Sequence, residues 1–184
     1  MADNRFAGAE KAEIFGRGQY FAGEGNGEFK VADFLYKMTR ESGAMIIIEL
    51  EATSDIPYRI PEDPKAPLVC DKETTISAGS KRTVTQKLAA DVAYPNLLGY
   101  VASIVGLDVR EPEDLLVVNE NIKDRFSDVL GEICDKKSFL LTPGDETSRI
   151  PIKGQSVHVT WRPYTKKKGG AIVTVQEFGV AKGA

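Results

Sequence analysis

Apolar and polar positions alternate in five segments of the chain, and this period of two predicts five β-strands. Residues 28–39 and 44–53 are joined by the turn-forming sequence TRESG, so we expect these two strands to form a hairpin. The alternation of the first strand slips phase at Ala32 and Asp33, which predicts a β-bulge there. The remaining strands are expected at residues 80–89, 155–164 and 171–180.

Between the third and fourth strands the apolar positions change to helical spacing. Leu97, Val101 and Ile104 follow this spacing, which predicts a helix over residues 94–107 within a helical region at 93–137. Residues 54–79 contain four prolines, and proline cannot donate a hydrogen bond to a sheet. This segment is therefore expected to be an extended, inserted loop.

The order of these elements is strand, strand, strand, helices, strand, strand. It is the order of the OB-fold, a five-stranded Greek-key barrel. We therefore expect a mainly β, α+β protein with an OB-like barrel and helices between strands three and four. An open antiparallel sheet with helices packed on one face is the alternative. The expected domain spans residues 18–184 and follows a flexible arm at residues 1–17.

Composition narrows the class of protein. The chain has 184 residues, 42% of them hydrophobic and 28% charged, as is ordinary for a globular domain. It contains no run of eighteen apolar residues, so we expect no membrane span. Cys70 and Cys134 lack neighbouring histidines, so we expect free thiols in the cytoplasm and neither a metal site nor a cofactor.

Catalytic motifs are missing from the sequence. The single histidine, His158, lies within a predicted strand on the face opposite Val157 and Trp161. No serine elbow, zinc-binding motif or phosphate-binding glycine loop accompanies it. We therefore expect His158 to be a surface or hydrogen-bonded histidine, and the protein not to be an enzyme.

Basic and aromatic residues give the strongest functional signal. Residues 150–184 carry six Lys and Arg against one Glu, although the whole chain has a net charge of -3. Arg162 and Tyr164 lead into the turn TKKKGG, and Thr174 and Gln176 are expected beside them. Single-stranded nucleic acids bind to such mixtures, because cations contact phosphates and flat rings stack on bases. The candidates are Lys37, Arg40, Lys81, Lys87, Arg162, Lys166, Lys167 and Lys168 for phosphates, and Tyr20, Tyr36 and Tyr164 for bases.

Two other assignments accompany this interpretation. Trp161 shares the parity of Val157 and Val159, so it is assigned to the core. Lysines at turns and sheet edges also serve to prevent aggregation, which is the structural alternative for the TKKKGG turn.

Several short segments resemble a known family. They are Gly18 with Tyr20, residues 40–43, residues 46–51, Gly79 with Ser80, and residues 95–99. Over about residues 15–110 the chain resembles small bacteriophage proteins related to single-stranded DNA-binding proteins. The resemblance implies an OB-like fold, binding of single-stranded DNA in phage replication or recombination, and partners among the proteins of those processes in the host cytoplasm.

Two functional hypotheses remain open at this point. The first is a sequence-tolerant binder of single-stranded DNA. The second is a virion structural or interaction protein, such as a capsid decoration or tail component, with contacts through the N-terminal arm and the Pro-rich segment. A homo-oligomer is compatible with either hypothesis.

Overall fold

The computed structural model describes residues 19–123 and 126–183, and the predicted arm at residues 1–17 lies outside them. The described chain is mainly β with three α-helices, as the α+β expectation required. The strands are β1 (Gln19–Tyr20), β2 (Glu24–Thr39), β3 (Gly43–Ala52), β4 (Ile56–Pro61), β5 (Cys70–Ile76), β6 (Lys81–Lys87), β7 (Ser138–Leu140), β8 (Arg149–Pro151), β9 (Ser156–Thr165) and β10 (Ile172–Val180). The helices are α1 (Ala93–Ile104), α2 (Pro112–Ile122) and α3 (Phe126–Lys136), with a 3₁₀ turn at Glu146–Ser148.

The long strand β2 organises the main sheet. Its C-terminal part pairs antiparallel with β3 over residues 29–39, and its N-terminal part pairs antiparallel with β9 over residues 25–30. β3 continues to β6, and β9 continues to β10. One strand therefore connects the predicted hairpin at the start of the domain to the strand pair at its end.

The predicted bulge is confirmed. The register of β2 against β3 shifts between Val31 and Asp33. The Asp33 carboxylate accepts a hydrogen bond from the Phe34 backbone N–H at 3.0 Å and from Lys137 Nζ at 2.8 Å, just after α3. A bulge bends a strand and increases its twist, so β2 bends just after the part that pairs with β9, while its pairing with β3 continues across the bend.

The sheet is not a closed barrel. Within residues 19–123 and 126–183, no backbone pairing joins β6 to β10. The free edge of β6 pairs instead with β1, in parallel, with Tyr20 opposite Thr83. Helix α1 contacts both sides of the open seam: the Tyr100 and Phe178 rings lie 4.4 Å apart between centroids, and Asn96 bonds to Gln86 of β6.

The Pro-rich segment 54–79 differs from the expected loop, because it contains the antiparallel hairpin of β4 and β5. β4 reaches β2 only through Tyr58 and Arg59. Pro57 and Pro61 lie outside this short stretch, and at both positions β4 pairs with β5 alone. Proline is tolerated there, since its missing N–H leaves no second ladder incomplete.

An aromatic cluster fills the core where β2, β4 and β9 meet. Trp161 is 1% exposed, as its parity predicted, and its Nε1 donates to the Ala22 carbonyl at 3.1 Å. Its ring packs against Phe21 at 4.9 Å and Tyr58 at 5.8 Å between centroids. Gly25 lies between Trp161 and Tyr58 in the paired strands, and its lack of a side chain makes this packing possible.

Both cysteines are free thiols, as expected. Cys134 is buried in α3, and this burial raises the pKa of its thiol to about 12. In the part of the chain that the structure describes, no helix is both long and apolar enough to cross a membrane.

Candidate functional site

An open groove occupies the unpaired seam of the sheet. One wall is formed by β1 and β6, the other by β9 and β10, and α1 lies between them with Asn96 and Tyr100. The groove has a volume of about 730 Å³. Its aromatic and cationic lining comprises Tyr20, Phe21, Tyr100, Tyr164, Lys87, Arg162 and Lys166, and its other polar lining comprises Thr83, Thr85, Gln86, Asn96, Thr174, Gln176 and Glu177.

Five candidates from the sequence are brought together in this groove: Tyr20, Lys87, Arg162, Tyr164 and Lys166. They come from β1, β6, β9 and the turn after β9, which are far apart in the chain. The Tyr20 side chain is 68% exposed and Tyr164 is 36% exposed, so both rings have surface available for stacking. The groove therefore has cations beside accessible aromatic rings.

Strand alternation places Arg162 and Tyr164 in the groove. Trp161 points into the core, so its neighbour Arg162 points outward. On β10 the residues directly opposite Arg162 and Tyr164 are Val175 and Val173, whereas the expected neighbours Thr174 and Gln176 stand opposite Pro163 and Trp161. Thr174 and Gln176 nevertheless line the same groove as Arg162 and Tyr164.

The lysine-rich turn lies at one end of the groove. The Lys166 backbone N–H donates to the Ala171 carbonyl at 2.8 Å and closes the turn. Gly169 and Gly170 both adopt positive φ, of 87° and 64°, which other residues rarely adopt. Lys167 and Lys168 are exposed in this turn but, unlike Lys166, are not among the described residues that line the groove.

The other candidates lie elsewhere. Lys81 forms an ion pair with the Glu49 carboxylate. Tyr36 lines a separate hollow beside α3, together with the acids Asp128, Glu132 and Asp135. Lys37 lies near the end of β2 and Arg40 in the turn that follows it, and neither is among the described groove residues.

Sequence reasoning missed a pair of amides in the groove. Asn96 Nδ2 donates to Gln86 Oε1 at 2.7 Å, and Gln86 Nε2 donates to the Lys87 carbonyl at 2.9 Å. In the sequence Gln86 is only an interruption of an apolar face. The sequence did contain a clue to this pair. A buried amide such as that of Gln86 requires a hydrogen-bonding partner, and Asn96 is a polar residue early in the helix that follows β6.

Tyr100 and Glu177 were also missed. Burial raises the pKa of the Tyr100 hydroxyl to about 12, so this group stays protonated at neutral pH. Glu177 Oε1 lies 3.6 Å from Arg162 Nη2, with both side chains largely exposed. Glu177 therefore introduces one negative charge into an otherwise cationic groove.

The His158 side chain has a hydrogen-bonding partner, as expected. Its Nδ1 lies 2.7 Å from Glu28 Oε1, and the same carboxylate oxygen accepts the Lys182 backbone N–H at 3.2 Å. The pair connects β2 to β9 and to the segment after β10, which is a structural role.

No protein-family model matches the chain, and no curated protein is significantly similar to it in sequence. What the protein does is therefore inferred from the chemistry of the groove.

Proposed function

We propose that this protein binds single-stranded DNA through the groove, largely independently of base sequence. The observation that carries the proposal is the meeting of two accessible tyrosines, Tyr20 and Tyr164, with Lys87, Arg162 and Lys166. These residues come from three separated regions of the chain. Charged residues alone would suit any anion, but cations beside exposed aromatic rings suit a ligand that alternates phosphates with flat bases.

The strand order supports an OB-like assignment of the fold. β2, β3 and β6 form one antiparallel series, β2, β9 and β10 form another, and the helices lie between β6 and β9. This order is consistent with an OB-fold whose last seam is left open. OB-folds bind oligonucleotides on a barrel face, and the groove at the open seam provides a concave surface for the same ligand.

The residues of the groove predict two contributions to DNA affinity, one from base stacking and one from phosphate contacts. Each base stacked on a tyrosine contributes about 1–3 kcal/mol, independently of which base it is. Each phosphate paired with Lys or Arg releases counterions, so affinity falls as salt rises. Together these contacts give a binder that tolerates many sequences and is sensitive to ionic strength.

The biological setting follows from the family resemblance. The chain resembles small bacteriophage proteins related to single-stranded DNA-binding proteins, and this resemblance implies a role in phage DNA replication or recombination. The corresponding partners are proteins of those processes, in the cytoplasm of the host.

The proposal is tested by fluorescence anisotropy of labelled oligothymidine and of duplex DNA over a salt titration. Wild type is compared with a double variant in the groove, Arg162→Gln with Lys166→Gln. The matched control is Lys72→Gln with Lys153→Gln, which removes two exposed charges outside the groove. We expect the groove variant to weaken binding by about tenfold or more at low salt and to flatten the salt dependence, because two phosphate contacts are lost.

The stacking half of the proposal is tested in the same assay. Tyr164→Ala is expected to weaken binding by about fivefold or more, since a stacked base is lost. Tyr36→Ala removes a tyrosine that lines the separate hollow, so it should retain wild-type affinity per folded molecule. Equal losses for the two tyrosine variants, or wild-type binding that ignores salt, would show that the groove is not the binding site.

A further inference from the structure

Glu177 is the single acidic residue among the described residues that line the groove. Its carboxylate faces the Arg162 guanidinium at 3.6 Å, which is longer than a hydrogen bond. The side chains are 68% and 59% exposed, respectively. Exposed ion pairs of this kind contribute little free energy, so Arg162 can readily exchange Glu177 for another acceptor.

A bound strand supplies such an acceptor. Arginine forms two parallel hydrogen bonds with a phosphate, and these charge-assisted bonds are stronger than a loose ion pair. Once Arg162 contacts a phosphate, the carboxylate of Glu177 remains in the groove without its cationic partner. A bound strand would displace water from this exposed carboxylate, and the bases of that strand can then supply donors in place of the water.

We propose that Glu177 is a base-recognition residue that gives the groove a preference for guanine, an inference that rests on the proposed DNA binding. Guanine presents two parallel donors, N1–H and the N2 amino group, which match the two oxygens of a carboxylate. Thymine presents one N–H between two carbonyl oxygens, which the carboxylate repels. Unstacked bases in single strands expose these edges to protein side chains.

This preference is added to sequence-tolerant binding and does not replace it. Stacking and phosphate contacts hold any strand, whereas Glu177 distinguishes bases at one position. Its negative charge also weakens the binding of strands that offer it no donors, because it stands close to their phosphates. Glu177 therefore lowers general affinity and raises discrimination.

The test compares three oligonucleotides of equal length: oligothymidine, alternating thymidine and guanosine, and alternating thymidine and inosine. Inosine keeps the purine ring but lacks the amino group, so it separates hydrogen bonding from stacking. Each is titrated with wild type, Glu177→Gln and the control Glu73→Gln, in lithium buffer to suppress guanine quadruplexes. Glu73 is an exposed acid that also stands opposite an arginine, Arg59, but outside the groove.

Wild type and Glu73→Gln are expected to bind the guanosine strand at least about fivefold more tightly than either the thymidine or the inosine strand, as one bidentate contact requires. In Glu177→Gln the affinity for the guanosine strand, divided by that for the inosine strand, should fall to near one. This variant should also bind oligothymidine more tightly than wild type does. If Glu177→Gln keeps the wild-type ratio, Glu177 does not recognise bases, although DNA binding by the groove stands. If no strand binds with salt-dependent affinity, the proposed function fails and this inference fails with it.

Discussion

Single residues decide how closely the strands of the core approach one another. Gly25 lies in β2 between Trp161 of β9 and Tyr58 of β4. A Cβ atom at this position would meet Trp161 Cζ2 and Tyr58 Cβ at 2.6 Å. The glycine is therefore required for packing across the three strands.

Gly25→Ala is expected to destabilise the protein by about 1–3 kcal/mol, because a methyl group is forced into a filled core. The control is Gly131→Ala in α3, where a Cβ meets open space. That change should stabilise the protein by about 0.5–1 kcal/mol, the usual cost of a helical glycine. Urea denaturation measures both free energies of unfolding, and a Gly25→Ala variant as stable as wild type would contradict the packing argument.

At the scale of elements, the β2 bulge joins the sheet to the helical region. The Asp33 carboxylate accepts hydrogen bonds from the Phe34 N–H and from the Lys137 ammonium group. The Lys137 carbonyl accepts a hydrogen bond from the Ile152 N–H at 2.8 Å. The sequence located the bulge through the broken alternation. It gave no sign of Lys137 as the partner, because that residue is distant in the chain and reaches Asp33 only in the folded molecule.

Asp33→Ala is therefore expected to cost about 1–2 kcal/mol, since a charge-assisted bond to Lys137 and the bond to Phe34 are both lost. Glu73→Ala, an exposed acid on β5, is the control and should change stability by less than about 0.5 kcal/mol. Unfolding in urea at neutral pH gives the comparison. Equal stability of the two variants would mean that the bulge does not need this anchor.

At the scale of the whole molecule, two buried ionisable groups make the fold less stable at alkaline pH. Burial raises the pKa of Cys134 from 9.0 to about 12 and that of Tyr100 from 10.0 to about 12. Both groups are neutral in the fold but ionise earlier in the unfolded chain. Above pH 9 the unfolded state binds fewer protons than the folded state, so stability falls as pH rises towards 12.

The free energy of unfolding falls between pH 8 and pH 10.5, and in Cys134→Ala this fall should be about 1–2 kcal/mol smaller than in wild type. The reason is that the unfolded variant lacks the thiol whose ionisation favours unfolding. The quantity compared is the change between the two pH values, so any cavity cost of the substitution cancels. Cys70→Ala is the comparison, and we expect a smaller change from it, because burial also raises the pKa of the Cys70 thiol but Cys70 is only half-buried. Urea denaturation under reducing conditions measures the change, and identical pH dependence in Cys134→Ala and wild type would refute the assignment.

The sequence by itself determined the main strands and the helical region, because hydrophobic periodicity is a local property of the chain. It predicted the five main strands, the intervening helices, the bulge at Asp33 and the burial of Trp161. It also selected the cations and tyrosines from which the candidate site is built, and five of them meet in one groove.

Only the tertiary structure decided which of these residues act together. The open seam and the parallel strand β1 depend on contacts between distant segments, whereas the β4–β5 hairpin and the register of β10 depend on how each strand pair is joined and packed. These contacts leave Tyr36, Lys37, Arg40 and Lys81 outside the groove and place Gln86, Asn96 and Glu177 within it. Periodicity assigns a side chain to a face, but register and long-range packing decide which faces meet.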